Sequence, residues 1–287
     1  APDSNSDAII DLLKQLTAES NNSELQTTID KLLSYDFAVD EYISDYFVSS
    51  DYCELPQDNT IPAKDECYPV LAYLLERGED VVHLILPFLD DAVAVKRYYA
   101  IWFFYQIQYL PAIELIAHKL YDEISQIRYL AVEMINAYRN SSVYRELSSG
   151  FLRQLKLPMP QVQKTAIIAL GQLREPRAVH DLITMLSSPY KELLSDVISA
   201  LAIICGHEFN HNIQKWSIWW KNNHHLSRTH WLIDGLNQEN YLIKQIACKE
   251  LIRISGVEED FDCTTEDSEE WSKIIDFWQS WYDAEEH

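Results

Sequence analysis

Glycine is scarce in this chain, six residues in 287. Phosphate-cradling loops concentrate glycine, and neither GxGxxG nor GxxxxGK[ST] occurs, which removes the common nucleotide-binding signatures. Basic residues are also few, 23 Lys and Arg against 45 Asp and Glu, for a net charge of −22. Phosphate neutralisation needs clustered Lys and Arg, so no nucleic-acid binding is expected, nor docking on anionic lipid. Long apolar runs are missing: stretches such as Tyr98 to Tyr105 fall far short of the ~18 residues that span a bilayer, and no membrane insertion is expected. The five cysteines form no CxxC pair, no GxSxG signature is present, and no Cys has an obvious activating neighbour. Catalysis therefore has no positive support, and no cofactor is expected. No positively charged apolar leader is present. A soluble protein is expected, the cytoplasm favoured and a secreted or periplasmic setting left open.

What the chain does have is apolar and aromatic mass: 47% hydrophobic residues, with 8 Trp, 17 Tyr and 9 Phe. That is too much for a disordered acidic tail and enough for a substantial core. The apolar residues repeat. Five segments align without gaps over twenty residues: 88–107, 119–138, 154–173, 185–204 and 235–254. The second position is always Leu: Leu89, Leu120, Leu155, Leu186 and Leu236. The thirteenth is Ala100, Ala131, Ala166, Val197 and Ala247; the seventeenth is Phe104, Ile135, Leu170, Leu201 and Leu251; the twentieth is Ile107, Tyr138, Leu173, Ile204 and Ile254. Apolar residues at 13, 17 and 20 follow the i, i+4, i+7 spacing of a helix with one buried stripe. Positions 3 to 8 are polar or carry Pro158, Pro160 and Pro189, and read as a turn. A shorter helical pattern precedes each Leu, clearest from Pro176 to Leu186, so each unit is a helix–turn–helix. Such pairs cannot bury both faces alone and stack as solenoids.

At Val162 to Gly171 and Ile127 to Ala131 the sequence resembles the second-helix signature of the HEAT-repeat family. The resemblance covers about residues 80 to 256. It implies an all-α fold, an α-solenoid of about five HEAT-like helix pairs, and says little of function, because such arrays serve as scaffolds, receptors, inhibitors and rarely enzymes. The expected organisation is an acidic N-terminal helical cap (1–80), the repeat array (81–256) and an acidic C-terminal cap helix (257–287). A Trp-rich insertion occupies 206–230. There Gly206, Phe209, Trp216, Trp219 and Trp220 are echoed by Gly256, Phe261, Trp278, Trp281 and Tyr282, a Gly…Phe…WxxWW pattern that resembles a tail of bacterial HEAT-like proteins. These Trp-rich helical faces are expected to cap the stack. Cys205 and Cys248 lie in apolar helical patterns and read as buried thiols. Cys53 and Cys67 flank a Pro-containing acidic loop that a disulfide would close in an oxidising compartment.

Candidate functional residues fall into three groups. His207, Glu208 and His211 form HExxH, a weak metal candidate in a stretch that reads as a loop. HEAT-fold hydroxylases use several His–Glu pairs for a di-iron centre, and this sequence offers one. Arg97 and Arg128 hold the tenth repeat position, where the resemblance implies a basic residue tying neighbouring repeats together. Tyr98, Trp102, Tyr105 and Tyr109 recur on a second face of their helix, which either packs on the N-terminal helices or meets a partner.

Charge is unevenly placed. Residues 1 to 80 carry −14, residues 81 to 230 carry +3, and residues 231 to 287 carry −11. Acidic ends that include Asp40, Glu41, Asp45 and Asp51, or the run 258 to 270, keep caps soluble or steer a basic partner. The expected function is a non-enzymatic interaction module for a protein with a basic or mixed-charge surface, one form being an immunity-type inhibitor. Its partner-binding candidates are Asp40, Glu41, Asp45, Asp51, Arg97, Tyr98, Trp102, Tyr105 and Arg128. The rival is a HEAT-fold enzyme or cofactor-handling protein with a pocket near His207, Glu208 and His211.

Overall fold

A computed structural model describes residues 4–17, 22–48, 53–257, 259 and 261–285. The regular structure of the described residues is all helical, in pairs that pack as a repeat solenoid's do, and they divide into two compact units, Ala1–Asn140 and Ser141–His287. The first unit contains α1 (Ser4–Thr17), α2 (Asn22–Leu33), α3 (Asp40–Tyr46), α4 (Pro69–Arg77), α5 (Val82–Ile85), α6 (Ala94–Ile107), α7 (Ile113–Ala117) and α8 (Ser125–Ala137). The second contains α9 (Ser142–Gln154), α10 (Pro160–Gln172), α11 (Val179–Met185), α12 (Leu194–Cys205), α13 (Ile213–Asn223), α14 (Arg228–Gly235), α15 (Tyr241–Ser255) and α16 (Ser268–Glu285).

The twenty-residue period is what builds both cores. Every Leu at position 2 is buried, and positions 13 and 17 are wholly enclosed in all five segments. Position 20 is less regular: Leu173 and Ile204 are buried, whereas Ile254 is 39% exposed near the end of α15. The stripe draws α6 against α8 in the first unit, and α10 against α12 and α12 against α15 in the second. First helices are short. α5 and α7 are single turns extended by tight 3₁₀ turns, since Pro87 and Pro111 break the backbone ladder nearby. The turn into three of the second helices, α6, α8 and α12, is set by a polar residue that accepts a backbone N–H two positions on. Asp91 accepts the Val93 N–H at 2.8 Å, Asp122 that of Ile124 at 3.0 Å, and Ser188 that of Tyr190 at 3.2 Å. Gly206 and Gly256, at φ +66° and +67°, end α12 and α15 in the left-handed conformation that glycine adopts without strain.

The cysteines pair differently from the expectation. Cys248 on α15 joins Cys263 in the following loop across 15 residues, with the α-carbons 5.9 Å apart. Cys248 is thus a half-cystine and not a buried thiol. Cys53 and Cys67 are not joined to each other and remain thiols, as does buried Cys205. The loop between Cys53 and Cys67 is instead tied by the Glu54 N–H, which donates to the Tyr68 hydroxyl at 2.9 Å. Burial pushes the Cys67 thiol up to about 11, away from the reactive thiolate.

Candidate functional site

In the first unit, Asp36 takes φ +50°, uncommon outside glycine, and a 3₁₀ turn (Asp36–Val39) then runs straight into α3. This places Phe37, Glu41 and Asp45 four residues apart on one outward stripe. Phe37 is 61% exposed, and Glu41 and Asp45 are exposed beside it. Two like charges at i, i+4 cost a helix a few tenths of a kcal/mol, so local stability does not account for the stripe. Asp40 points inward: Arg77 donates to its Oδ1 at 3.0 Å and to the Tyr73 hydroxyl at 2.9 Å. The same guanidinium lies 5.4 Å from the Phe37 ring centroid. One enclosed cation thereby fixes the turn and leaves an aromatic ring flanked by Asp36, Glu41 and Asp45. Asp51 lies outside the described residues. Nothing in periodicity marks Phe37; its signal is position, an aromatic four residues before an acidic i, i+4 pair.

The aromatic face of α6 is covered by the chain itself. Tyr98 and Trp102 are buried, and residues 54–62 run across them as a strap. The Tyr99 hydroxyl donates to the Glu54 carbonyl at 3.1 Å, and Trp102 Nε1 to that of Pro62 at 2.8 Å. Gln106 Nε2 shares the Pro62 carbonyl at 3.3 Å, and Gln126 Nε2 on α8 reaches that of Pro56 at 3.2 Å. The strap is held through its backbone by side chains on two helices. Burial pushes the Tyr98 and Tyr99 hydroxyls up, well above the ordinary tyrosine value. Tyr105 is half-buried and lines a hollow of about 270 Å³ with Lys64, Gln108, Met134 and Tyr138.

Arg97 spans two repeats. It donates to both Asp122 oxygens, at 2.8 and 3.0 Å, and its Nη1 reaches the Asp91 and Ala92 carbonyls at 3.0 and 3.1 Å. Arg128 donates to the carbonyls of Asp122 and Glu123, at 2.6 and 3.0 Å, at the same inter-repeat turn. Arg97 is 7% exposed, so its guanidinium is engaged within the fold.

In the second unit the HExxH residues take different surroundings. His207 is buried, its Nδ1 hydrogen-bonded with the Cys205 carbonyl at 3.0 Å and its Nε2 with Asp234 Oδ2 at 2.9 Å, with the Trp219 ring 4.9 Å away. The His207 hydrogen bond holds the Asp234 carboxyl below the usual carboxylate range. Glu208 accepts from Asn240, and His211 is exposed. Among the described residues, no group of three or more His, Cys, Asp or Glu is placed to hold a metal ion.

Sequence periodicity missed a charged hub. Glu250 on α15 is buried and receives Arg174 at 2.9 Å, Arg228 at 2.9 Å and Arg253 at 3.1 Å. Arg228 also donates to the Ile203 and Ile204 carbonyls at 3.0 and 2.8 Å, meeting the C-terminal end of α12. Burial would raise the Glu250 carboxyl, but the three guanidiniums outweigh it and hold it at about 2. Burial also draws Arg228 down to about 10, against the pull of Glu250. A hub assembled from residues 174, 228, 250 and 253 has no fixed spacing for a sequence to reveal.

Residues 162–188, from α10 to the end of α11, match the family model described as PBS lyase HEAT-like repeat. No curated protein matches the chain. Two crystal structures, each described as an engineered protein, are similar to it. One is 14% identical, aligned over 87% of this chain and 97% of its own with a TM-score of 0.30. The other is 15% identical, aligned over 96% and 80% with a TM-score of 0.31. The class defined by fold and comparison together is an all-α helix-pair repeat protein carrying a HEAT-like repeat. No helix among the described residues is long and apolar enough to cross a membrane.

Proposed function

We propose that the protein is a non-catalytic interaction module whose first-unit ridge, Phe37 with Asp36, Glu41 and Asp45, receives a basic surface of a partner protein. The observation that carries this is the exposed aromatic ring held among carboxylates by the enclosed Arg77. Interface hot spots favour an aromatic anchor, and a surrounding acidic field speeds encounter with a basic partner. An inhibitor of the immunity type, covering a partner's basic site, is the concrete form we favour, with the cytoplasm as its setting. The five helix pairs are on this reading HEAT-like throughout. The two Gly–Phe–Trp segments are a duplicated capping element, supported by matching left-handed glycines and by Phe209 and Phe261 packing on buried Trp216 and Trp278 at 4.9 and 6.0 Å. His207, Glu208 and His211 engage different surroundings, so a metal-based activity draws no support from the described residues.

Affinity capture with wild type, Phe37→Ala and the Glu41→Lys/Asp45→Lys pair tests the ridge. One partner should be enriched at low salt, weakened by salt, and lost at least tenfold with either variant at unchanged helicity. A partner held equally by all three forms would remove the ridge from the interface.

A further inference from the structure

Repeat register relates the strap to a second place on the molecule. Tyr99, Trp102 and Gln106, which hold the strap's carbonyls, stand at positions 12, 15 and 19 of their segment. The same positions are Thr165, Ile168 and Gln172 on α10, and Asp196, Ser199 and Ile203 on α12. Five of those six side chains line a hollow of about 250 Å³ between α10 and α12. All six are half-buried or exposed. Gly171 lets α10 and α12 approach closely at the floor, where a β-carbon would meet Ala200 at 3.0 Å. In the first unit the corresponding positions are covered by an extended, proline-containing segment.

We infer that the α10/α12 face is a binding site for an extended polypeptide segment of a partner, read through its backbone as the strap is read on α6. The Gln172 amide and Ser199 hydroxyl supply donors for peptide carbonyls, as Gln106 and Trp102 at the same positions do for the strap. Ile168, Ala200 and Ile203 take apolar side chains. Asp196 is the one ionised group in the lining, and its 3.8 Å pair with the half-exposed Lys164 is screened and weak. The fitting ligand is therefore extended, carries apolar residues and places one Lys or Arg opposite Asp196. This site is separate from the acidic ridge, and its failure would leave the ridge reading standing.

The probe is a terminally blocked, fluorescent peptide of residues 55–63, Leu-Pro-Gln-Asp-Asn-Thr-Ile-Pro-Ala, together with its Asp58→Lys form. Fluorescence anisotropy with the full chain should show saturable binding of the Asp58→Lys peptide, at least fivefold tighter than the unaltered peptide. Ser199→Arg, which fills the hollow from an exposed position, should weaken it at least tenfold at unchanged helicity. If that variant loses helicity, Asp196→Asn reads the same contact: the preference for the lysine-bearing peptide should vanish. No saturable binding, equal binding to Ser199→Arg at full helicity, or an undiminished lysine preference in Asp196→Asn would each overturn the assignment.

Discussion

Replacing Glu250 by Gln keeps the volume of the hub and removes the one carboxylate that three arginines share. The drop from the ordinary 4.5 to about 2 corresponds to ~3 kcal/mol of preferential stabilisation of the ionised form in the folded state. Removing one partner of a buried ion cluster costs about 3–5 kcal/mol in general, so the two routes agree. Arg228 carries an opposing cost of similar size, ~3 kcal/mol, because burial draws it from 12.5 to about 10. The pair Glu250→Gln/Arg228→Met should accordingly lose less stability than Glu250→Gln alone. Seven of the eight tryptophans lie in 141–287, so tryptophan fluorescence follows this unit during thermal unfolding. At roughly 2–4 °C per kcal/mol for a unit of this size, Glu250→Gln should lower the midpoint by about 6–12 °C near neutral pH. The acid limb gives an independent check. The folded carboxyl titrates below the unfolded one, so its stabilisation is complete above 4.5 and is lost as pH falls from there through about 2. Wild type should converge on the variant across that window. A midpoint shift below about 2 °C, or acid profiles that stay parallel, would refute the hub's role.

Three further outcomes test other parts of the fold. Gly235→Ala would set a β-carbon 2.2 Å from the Gly206 carbonyl oxygen, backbone that cannot yield cheaply, whereas Gly256→Ala meets nothing within 4 Å and strains only its φ of +67°. Chemical denaturation should show a loss of about 2–4 kcal/mol for the first and about 1 kcal/mol for the second; equal losses would contradict the packing. Cys248→Ser should cost ~3 kcal/mol under oxidising conditions, the entropy of freeing a 15-residue loop, and reductant should bring wild type to the same midpoint; an unchanged wild-type midpoint would show that the bond contributes nothing. Trp102→Phe removes the donor to the Pro62 carbonyl at a cost of ~1 kcal/mol, which should speed tryptic cleavage after exposed Lys64; an unaltered cleavage rate would mean the strap is held elsewhere.

The repeat array was legible because its signal is local and periodic. Leu89 and its four counterparts, with the small residues at position 13, recur at fixed spacing and are buried as the spacing implies. The tenth position reads as an inter-repeat tie, and Arg97 in the first segment does reach Asp122 in the second. What stayed hidden depends on contacts without a period. The second aromatic stripe of α6 left packing and partner binding open; Tyr98 and Trp102 are buried, and a loop with no apolar pattern of its own is bound by Tyr99 and Trp102 through backbone carbonyls that no sequence displays. The outward direction of Phe37 depends on the left-handed turn at Asp36, which no periodic pattern displays. The partner of Cys248 lay 15 residues on, in a polar loop that gave no reason to prefer Cys263 over another thiol.

The nearly balanced charge of residues 81 to 230 does not describe their exterior. Arg97, Arg174 and Arg228 keep only 9%, 16% and 11% of their side chains exposed, and two of the three are directed to Glu250, a carboxylate counted with the acidic C-terminal stretch. Cations that raise the middle's sum are thus enclosed and engaged, while Glu41 and Asp45 stand in water. The field met by an approaching protein is more acidic over the middle than its +3 suggests. An anionic contact there has fewer accessible cations to meet than the count implies. A basic partner gains instead, at the ridge and, through Asp196, along the α10/α12 face. Neutralising any of the three enclosed arginines should consequently act on folding stability before it acts on association rate, whereas exposed Glu41 and Asp45 should act on association rate first.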